Sequence, residues 1–222
     1  MRLVLFGPPA SGKGTQGRRL ASSLSLGYLS TGALLREHVE NATPLGLSAK
    51  PILASGEYLP DELMFPILAD WLDHQTGQTG WVLDGFPRSL PQAAFLDGWL
   101  EAHALKLDAA ISLEVPYDEL LQRMRNRVEC PACRWTGQRG QLAHGTDCPK
   151  CGATASRRAD DDEQNFNNRF TEFSEITLPL VKYYEDRKSL ISVQATAPQD
   201  EVAALILAEV MEKASVSLPS NR

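Results

Sequence analysis

Short apolar runs alternate along most of the chain with longer stretches that mix apolar and polar residues. Arg2 to Phe6 and Trp81 to Asp84 are apolar runs of strand length, and both predict buried strands. Further strands are predicted at 27–29, 109–115 and 190–194. Helices are predicted at 16–24, 33–40, 44–54, 61–74, 90–102, 117–127, 160–188 and 198–213. This alternation predicts an α/β fold, a five-stranded parallel sheet with helices on both faces.

Polar residues and prolines refine the predicted helix boundaries. Side chains that would cap helix N-termini stand at the start of three helical patterns, and they are Ser30, Asp61 and Ser89. Prolines inside helices are expected to bend or shorten them, because proline lacks a backbone N–H group. These prolines are Pro51, Pro66 and Pro179. Ala214 to Arg222 follow the last predicted helix and are predicted to fray.

Residues 128–159 interrupt the alternation, since they contain all four cysteines, six glycines or prolines and few aliphatic side chains. The cysteines form two C-x-x-C pairs with fourteen residues between them. This spacing favours a structural tetrahedral Zn²⁺ site with the ligands Cys130, Cys133, Cys148 and Cys151. Four thiolates leave no open coordination position, so a catalytic zinc ion is disfavoured. Two less favoured alternatives are disulfide bonds and a site that includes His144.

Composition limits the classes of partner. The length of 222 residues corresponds to one or two domains, and a hydrophobic fraction of 43% is enough for a sizeable core. The net charge of −6 provides no global basic field that attracts nucleic acid. No apolar run approaches the roughly 20 residues that span a bilayer. The N-terminus turns at Gly7, too early for the apolar region of a signal peptide. We therefore expect a cytoplasmic protein without nucleic-acid or membrane partners.

A glycine-rich loop lies between the first predicted strand and the first predicted helix, with the sequence Gly-Pro-Pro-Ala-Ser-Gly-Lys-Gly-Thr at residues 7–15. It matches the phosphate-loop pattern G-x-x-x-x-G-K-[ST] only in part, because Gly14 follows Lys13. In such a loop, backbone N–H groups and the helix N-terminus face an anion, and the lysine reaches the terminal phosphates. Asp84 ends an apolar strand, where phosphate-loop enzymes hold Mg²⁺. The alternative interpretation of residues 7–15 is an ordinary glycine turn that binds no phosphate.

The loop resembles the G-x-P-x-x-G-K-G-T loop of adenylate kinases and their nucleoside-monophosphate kinase relatives. The segment Asp84-Gly-Phe-Pro-Arg88 is similar to a fingerprint of the same family, and the resemblance extends from Arg2 to about Lys213. Ala10 and Ser11 stand where most bacterial members have glycine and alanine. The segment 135–137, Trp-Thr-Gly, stands where many members have a tyrosine close to a histidine. Many bacterial members also carry a four-cysteine zinc lid.

The resemblance implies site residues for two nucleotides. For ATP they are Ala10, Ser11, Gly12, Lys13, Gly14, Thr15, Arg123, Arg127, Thr136 and Ala197. For AMP they are Thr31, Arg36, Glu57, Tyr58, Leu59, Gly85, Phe86, Pro87, Arg88, Gln92, Arg158 and Arg169. The implied catalytic groups are Lys13, Arg88, Arg127, Arg158 and Arg169, and the implied Mg²⁺-associated residues are Thr15 and Asp84. Arg123 and Arg127 are predicted to share a helix face, and Asp160 and Asp161 are implied to organise the closed lid.

The resemblance also implies three structural parts. Residues 1–29, 60–127 and 161–222 would form the core, 30–59 the monophosphate-binding part, and 128–160 the lid. The expected activity is Mg²⁺-dependent transfer from ATP to AMP by a monomer, giving two ADP and maintaining adenine nucleotide balance. A UMP/CMP kinase of the same fold is the close alternative. A nucleic-acid-binding ATPase with a zinc ribbon is a second one, which the acidic charge and the lack of interleaved aromatic and basic residues disfavour.

Overall fold

A computed structural model describes residues 1–75, 77, 79–158 and 160–216 of the protein. Five strands form one parallel sheet, as predicted. They are β1 (Arg2–Phe6), β2 (Gly27–Ser30), β3 (Trp81–Asp84), β4 (Ala109–Glu114) and β7 (Leu190–Gln194), and they are ordered β2-β3-β1-β4-β7. The remaining strands, β5 (Arg127–Glu129) and β6 (Thr136–Gln138), form a separate antiparallel ribbon.

Nine α-helices connect and cover the strands in the described part of the chain. They are α1 (Lys13–Leu24), α2 (Thr31–Glu40), α3 (Pro44–Ser55), α4 (Asp61–His74), α5 (Leu90–Ala102), α6 (Tyr117–Asn126), α7 (Glu163–Glu172), α8 (Pro179–Asp186) and α9 (Gln199–Val216). A short 3₁₀ turn covers Arg139–Gln141, and a π-helical turn covers Phe173–Thr177. No helix among the described residues is long and apolar enough to cross a membrane.

Each face of the sheet has its own apolar core. Side chains of successive strand residues point to opposite faces. On β1, Val4 therefore packs in a cluster with α4, α5 and α8, whereas Leu3 packs in a second cluster with α1 and α9. Because helices cover both faces, β1 is a nearly continuous apolar run rather than an alternating one. This double burial fixes the sheet, and the loops at the carboxyl ends of its strands stand on a rigid base.

The helix starts partly agree with the predicted caps. The hydroxyl oxygens of Ser30 and Ser89 accept hydrogen bonds from the backbone N–H groups of the third residues of α2 and α5, which confirms both caps. The prediction for Asp61 is wrong, since the cap position of α4 is Pro60 and Asp61 is its first residue. A carboxylate in the first turn still stabilises the positive end of the helix dipole, and that of Asp61 accepts a hydrogen bond from Gln92.

The other differences concern helix lengths. Helices α3 and α4 continue past their internal prolines, so Pro51 does not end α3 early. Helix α6 stops at Asn126, and Arg127 opens β5, so the prediction that Arg123 and Arg127 share one helix face is wrong. The final helix begins one residue later than predicted and includes residues 214–216. The rest of the tail that was predicted to fray, residues 217–222, lies outside the described residues.

The long helix predicted at 160–188 consists of three segments. It begins at Glu163, because Asp162 caps it by accepting a hydrogen bond from the backbone N–H of Asn165 at 2.9 Å. A π-helical turn then separates α7 from α8, and the N–H of Leu178 reaches back five residues to the carbonyl of Phe173 at 2.8 Å. Pro179 opens α8, where its missing N–H group is tolerated. The distortion therefore lies just before the proline.

Candidate functional site

A cavity of about 770 Å³ opens beyond the carboxyl ends of the sheet strands, where ligands bind in open α/β sheets. Its walls come from the glycine loop, from α2 and residues 56–58, from the turn after β3, from the ribbon, from the helical segment 169–177 and from residues 195–202. Each of these six stretches of sequence carries predicted site residues, so residues far apart in the chain meet at one place.

The glycine loop has the backbone conformation of an anion cradle. Gly7 has φ +153°, and a Cβ at this position would lie 2.8 Å from the carbonyl oxygen of Leu113. Gly12 has φ +98° and directly precedes α1, whose first N–H groups have no partner within the helix. Ser11 is buried, and its hydroxyl oxygen has no hydrogen-bond partner among the described residues. The loop thus presents unsatisfied polar groups at a helix N-terminus, which fits a phosphate ligand.

The ammonium group of Lys13 lies at the base of this loop. Its Nζ donates hydrogen bonds to the carbonyl oxygens of Gly7 at 2.8 Å and Pro8 at 2.9 Å. Burial lowers the pKa of Lys13 to about 8, the carboxylate of Asp84 opposes this shift, and three arginines add to it. The arginines are Arg88, Arg127 and Arg169. The cavity is therefore a region of concentrated positive charge in a protein whose net charge is −6.

The carboxylate of Asp84 is buried beside the glycine loop. Its Oδ2 accepts a hydrogen bond from the hydroxyl group of Tyr28 at 2.9 Å, and a Cβ at Gly14 would lie 3.4 Å from the same atom. Burial, followed by the charge of Asp84, raises the pKa of Tyr28, so the phenol stays a proton donor. Thr15 lies in the first turn of α1 and lines the same cavity. Carboxylate and hydroxyl oxygens are ligands that Mg²⁺ accepts, so these residues fit the ion.

The turn after β3 brings residues of the predicted AMP site together. The carbonyl oxygen of Gly85 accepts hydrogen bonds from Thr31 Oγ1 at 2.9 Å and from Arg88 Nε at 2.8 Å. A Cβ at Gly85 would lie 2.9 Å from Thr31 Oγ1 and 3.0 Å from a guanidinium nitrogen of Arg88. The guanidinium groups of Arg36 and Arg88 both lie close to Gly32, within 4 Å of a Cβ built there. Two cations therefore converge on this part of the cavity.

Arg88 is held on several sides. Its guanidinium carbon lies 4.6 Å from the centre of the Tyr58 ring, and its backbone N–H donates to Gln92 Oε1 at 2.8 Å. Its carbonyl oxygen accepts a hydrogen bond from Thr177 Oγ1 at 2.8 Å. Sequence reasoning missed Thr177, since it lies 89 residues from Arg88 in the chain and belongs to no phosphate-binding motif.

Not all predicted AMP-site side chains line the cavity. Eight of the predicted residues do, and they are Arg36, Glu57, Tyr58, Gly85, Pro87, Arg88, Arg158 and Arg169. The side chains of Leu59 and Phe86 instead pack in the apolar core, and those of Thr31 and Gln92 are buried around the site, where they bond to its backbone. Contacts from Leu59 and Phe86 to a ligand in the cavity would therefore come from their backbone atoms.

Four further arginines that line the cavity, at positions 123, 127, 158 and 169, each have an acidic partner. Arg123 donates to Glu119 at 2.6 Å and to the carbonyl oxygen of Ala195 at 2.7 Å. The other pairs are Arg127 with Asp161, Arg158 with Glu129, and Arg169 with Asp160. Burial, together with the nearby charges of Arg127 and Arg36, lowers the pKa of Arg158 to about 10. Thr136 Oγ1 lies 3.5 Å from a guanidinium nitrogen of Arg158. Ala197 lines the cavity as part of the segment 195–200.

The four cysteines lie together in the lid segment. Their Sγ atoms all lie within 4.8 Å of one another, and the pairs Cys130–Cys151 and Cys133–Cys148 are each 3.6 Å apart. A tetrahedron of Zn–S bonds of about 2.3 Å places its sulfurs about 3.8 Å apart, so the arrangement fits the ion. All four are free thiols, and the cluster found in the described part of the chain does not include His144.

A parallel sheet, a phosphate cradle at its carboxyl edge and a lysine surrounded by arginines define a P-loop nucleotide-binding protein of the phosphotransferase type. The family model for adenylate kinase matches residues 5–189. Relatives include adenylate kinases from Moorella thermoacetica, 39% identical over 94% of this chain and 95% of that protein, and from Nitrobacter winogradskyi, 40% identical over 91% and 89%. The adenylate kinase from Finegoldia magna is 35% identical over 95% and 99%. The chain belongs to the adenylate kinase family.

Proposed function

We propose that the protein transfers the γ-phosphoryl group of ATP to AMP and returns two ADP. The observation that carries this proposal is that the glycine loop with Lys13 and the converging guanidinium groups of Arg36 and Arg88 line one and the same cavity. Two phosphorylated nucleotides repel each other, so a direct transfer between them requires cations placed where both phosphate groups meet. Phosphoryl transfer demands alignment and charge compensation more than covalent chemistry from the protein.

On the donor side, the loop N–H groups and the start of α1 would bind the ATP phosphates. Lys13 would leave its two backbone carbonyl partners and pair with the terminal phosphates. The residues of this side are Ala10, Ser11, Gly12, Gly14 and Thr15, with Arg123, Thr136 and Ala197 near the base and sugar. Arg123 is already fixed to Glu119 and Ala195, so it would offer the flat face of its guanidinium group.

Mg²⁺ would be held by Asp84 and Thr15, directly or through water. The ion supplies charge compensation on the phosphate oxygens during transfer. Tyr28 would keep Asp84 oriented, because it donates its only hydroxyl hydrogen to Oδ2 of this carboxylate.

On the acceptor side, Arg36 and Arg88 would bind the phosphate group of AMP. Thr31, Gly85 and Gln92 keep this part of the backbone in place through the hydrogen bonds described above. Residues 57–59 would border the adenine base, with Tyr58 in the cavity wall. The three guanidinium groups that complete the phosphate site would be those of Arg127, Arg158 and Arg169.

The lid and the segment 30–59 would close over the two nucleotides. Arg134 of the lid and Glu40 of α2 form a bidentate ion pair with N–O distances of 2.8 and 3.2 Å. Asp160 and Asp161 hold Arg169 and Arg127 beside the cavity. A closed lid excludes water, which would otherwise accept the phosphoryl group. We propose the part boundaries 1–29, 60–127 and 161–222 for the core, 30–59 for the AMP side and 128–160 for the lid.

The lid contains a structural zinc site in this proposal. Its buried apolar cluster is small, with Cys130, Cys148 and Ala155 at its centre and Trp135 packed against it. Metal binding to a small module is coupled to its folding. Zn²⁺ held by the four thiolates would therefore replace an apolar core. We also propose a monomer, because one chain supplies both nucleotide sites, and a cytoplasmic location, because the substrates are nucleotides of the cell interior.

The proposal is tested by product analysis with several acceptors. The protein is incubated with Mg²⁺ and ATP alone, and then with AMP, CMP, UMP or GMP. The expected result is fast formation of two ADP per AMP consumed, with slower transfer to the other monophosphates. Preferential phosphorylation of CMP or UMP would contradict the assignment of the acceptor, and release of inorganic phosphate at the same rate with and without AMP would contradict transfer altogether.

A further inference from the structure

We propose that Thr177 is a positioning residue for the acceptor nucleotide, which acts through Tyr58 and Arg88. This inference rests on the proposed function, since it assumes that Arg88 binds the acceptor phosphate. Thr177 lies in the core, Tyr58 in the segment 30–59, and Arg88 in the turn after β3. One buried hydroxyl group therefore joins three separate stretches of sequence at the wall of the cavity.

The hydrogen bonds of Thr177 have a defined direction. Its Oγ1 lies 2.8 Å from the carbonyl oxygen of Arg88 and 2.9 Å from the hydroxyl oxygen of Tyr58. A carbonyl oxygen only accepts, so Thr177 must donate its single hydrogen to Arg88. Tyr58 must then be the donor to Thr177. Thr177 is only 2% exposed. Removing its hydroxyl group would take this partner from both the carbonyl oxygen of Arg88 and the hydroxyl group of Tyr58.

The π-helical turn places this hydroxyl group. Thr177 is the last residue of the turn, and the N–H of the next residue, Leu178, bonds five residues back to Phe173. A π turn adds one residue to the helix and so rotates the following side chains relative to an ordinary α-helix; such turns are frequent at functional sites. Phe173 and Thr177 are both buried and both line the cavity, whereas Glu175 and Ile176 between them are exposed.

The contacts of Thr177 control the direction of the Arg88 guanidinium group. Tyr58 presents its ring to this cation at 4.6 Å, and the ring is oriented by the bond from its hydroxyl group to Thr177. The backbone of Arg88 is fixed at the same time by Thr177 at its carbonyl oxygen and by Gln92 at its N–H group. A small displacement of a phosphate-binding group is costly in phosphoryl transfer, because the acceptor must stand in line with the bond that breaks.

The test compares four variants of the full-length protein. Thr177→Val keeps the size of the side chain and removes the hydroxyl group, whereas Thr177→Ser keeps that group. Tyr58→Phe removes only one of the two bonds. Ser174→Ala is the matched control, because Ser174 lies in the same π turn but donates to the carbonyl oxygen of Phe170, four residues back in α7, at 2.8 Å. Initial rates are measured with AMP and ATP varied separately, and thermal unfolding is recorded for each variant.

We expect Thr177→Val to raise KM for AMP about tenfold, the effect of about one buried hydrogen bond, and to change KM for ATP less than about twofold. Thr177→Ser should restore KM for AMP, and Tyr58→Phe, which removes only one of the two bonds, should give a smaller increase. Ser174→Ala should leave both KM values unchanged. These results together would support the positioning role.

Two kinds of result would overturn the inference. One is a Thr177→Val variant that is folded and keeps its KM for AMP, or that loses AMP and ATP use equally. The other is failure of Thr177→Ser to rescue, or the same AMP-specific effect in Ser174→Ala, since both would indicate a general effect on helix packing. If Thr177→Val does not fold, Tyr58→Phe decides, and an unchanged KM for AMP rejects the proposal. A wild-type protein that does not phosphorylate AMP would instead reject the proposed function itself.

Discussion

Nucleotide binding should be coupled to proton uptake by Lys13. Burial lowers the pKa of this ammonium group from 10.5 to about 8, which corresponds to about 3 kcal/mol against the charged form. Bound phosphates favour the ammonium and would raise its pKa again. Above about pH 8 the side chain of Lys13 is mostly neutral in the free protein, so it must take up a proton before it can pair with the phosphates as an ammonium group. The affinity for ATP should fall as pH rises above about 8, by up to about tenfold per pH unit.

Calorimetry in buffers of different ionisation enthalpy measures this uptake directly. With a pKa of about 8 in the free protein, the uptake on ATP binding should be about 0.1 proton at pH 7, about 0.5 at pH 8 and about 0.9 at pH 9. The terminal phosphate of ATP is already ionised above pH 8 and does not contribute. Lys13→Met should bind ATP more weakly and without this uptake. Absence of uptake at pH 9, or equal uptake in Lys13→Met, would refute the reasoning.

The remaining predictions concern stability, the acceptor site and the lid. Between about pH 8 and 10.5 the unfolded chain binds more protons at Lys13 than the folded protein does. The free energy of unfolding of the wild type should therefore rise with pH relative to that of Lys13→Met, and denaturant titrations across this pH range measure the difference. Arg88→Ala and Arg36→Ala should weaken AMP binding more than ATP binding in separate isotherms, and the reverse order would exchange the two sites. Cys130→Ser should release zinc, which elemental analysis would detect, and lower the unfolding temperature of the lid, while activity at low temperature is retained. A zinc-free wild-type protein that is as stable as the zinc-bound one would contradict the structural role.

Local sequence patterns predicted the scaffold well because each of them reflects a short-range constraint. The strands are apolar runs buried on both faces, and the glycine loop is recognised by its flanking strand and helix. Ser30 and Ser89 cap their helices through bonds that span only three residues. The four cysteines were predicted to form one cluster because tetrahedral coordination demands it, and their sulfur atoms do lie together.

Residues that act over long sequence distances were missed. Tyr28 bonds to Asp84 across 56 positions, and Thr177 bonds to Arg88 across 89. Nothing in the pattern around Thr177 indicates the π turn that aims it at the cavity. The end of α6 was misplaced for a related reason, since Arg127 leaves the helix to pair with Asp161 and to begin the ribbon of the lid. Tertiary contacts decide these positions, and periodicity carries no information about them.

In the proposed function, one cavity aligns ATP and AMP for direct transfer with Lys13 at the phosphates. The most direct measurement follows γ-labelled phosphate from ATP into ADP made from AMP, in the wild type, in Lys13→Met and in Lys106→Met, a control at an exposed lysine. We expect stoichiometric transfer in the wild type and in Lys106→Met, and a loss of roughly 10²-fold or more in a folded Lys13→Met variant. Transfer at the wild-type rate by folded Lys13→Met, or label that appears only as inorganic phosphate, would contradict the proposed function.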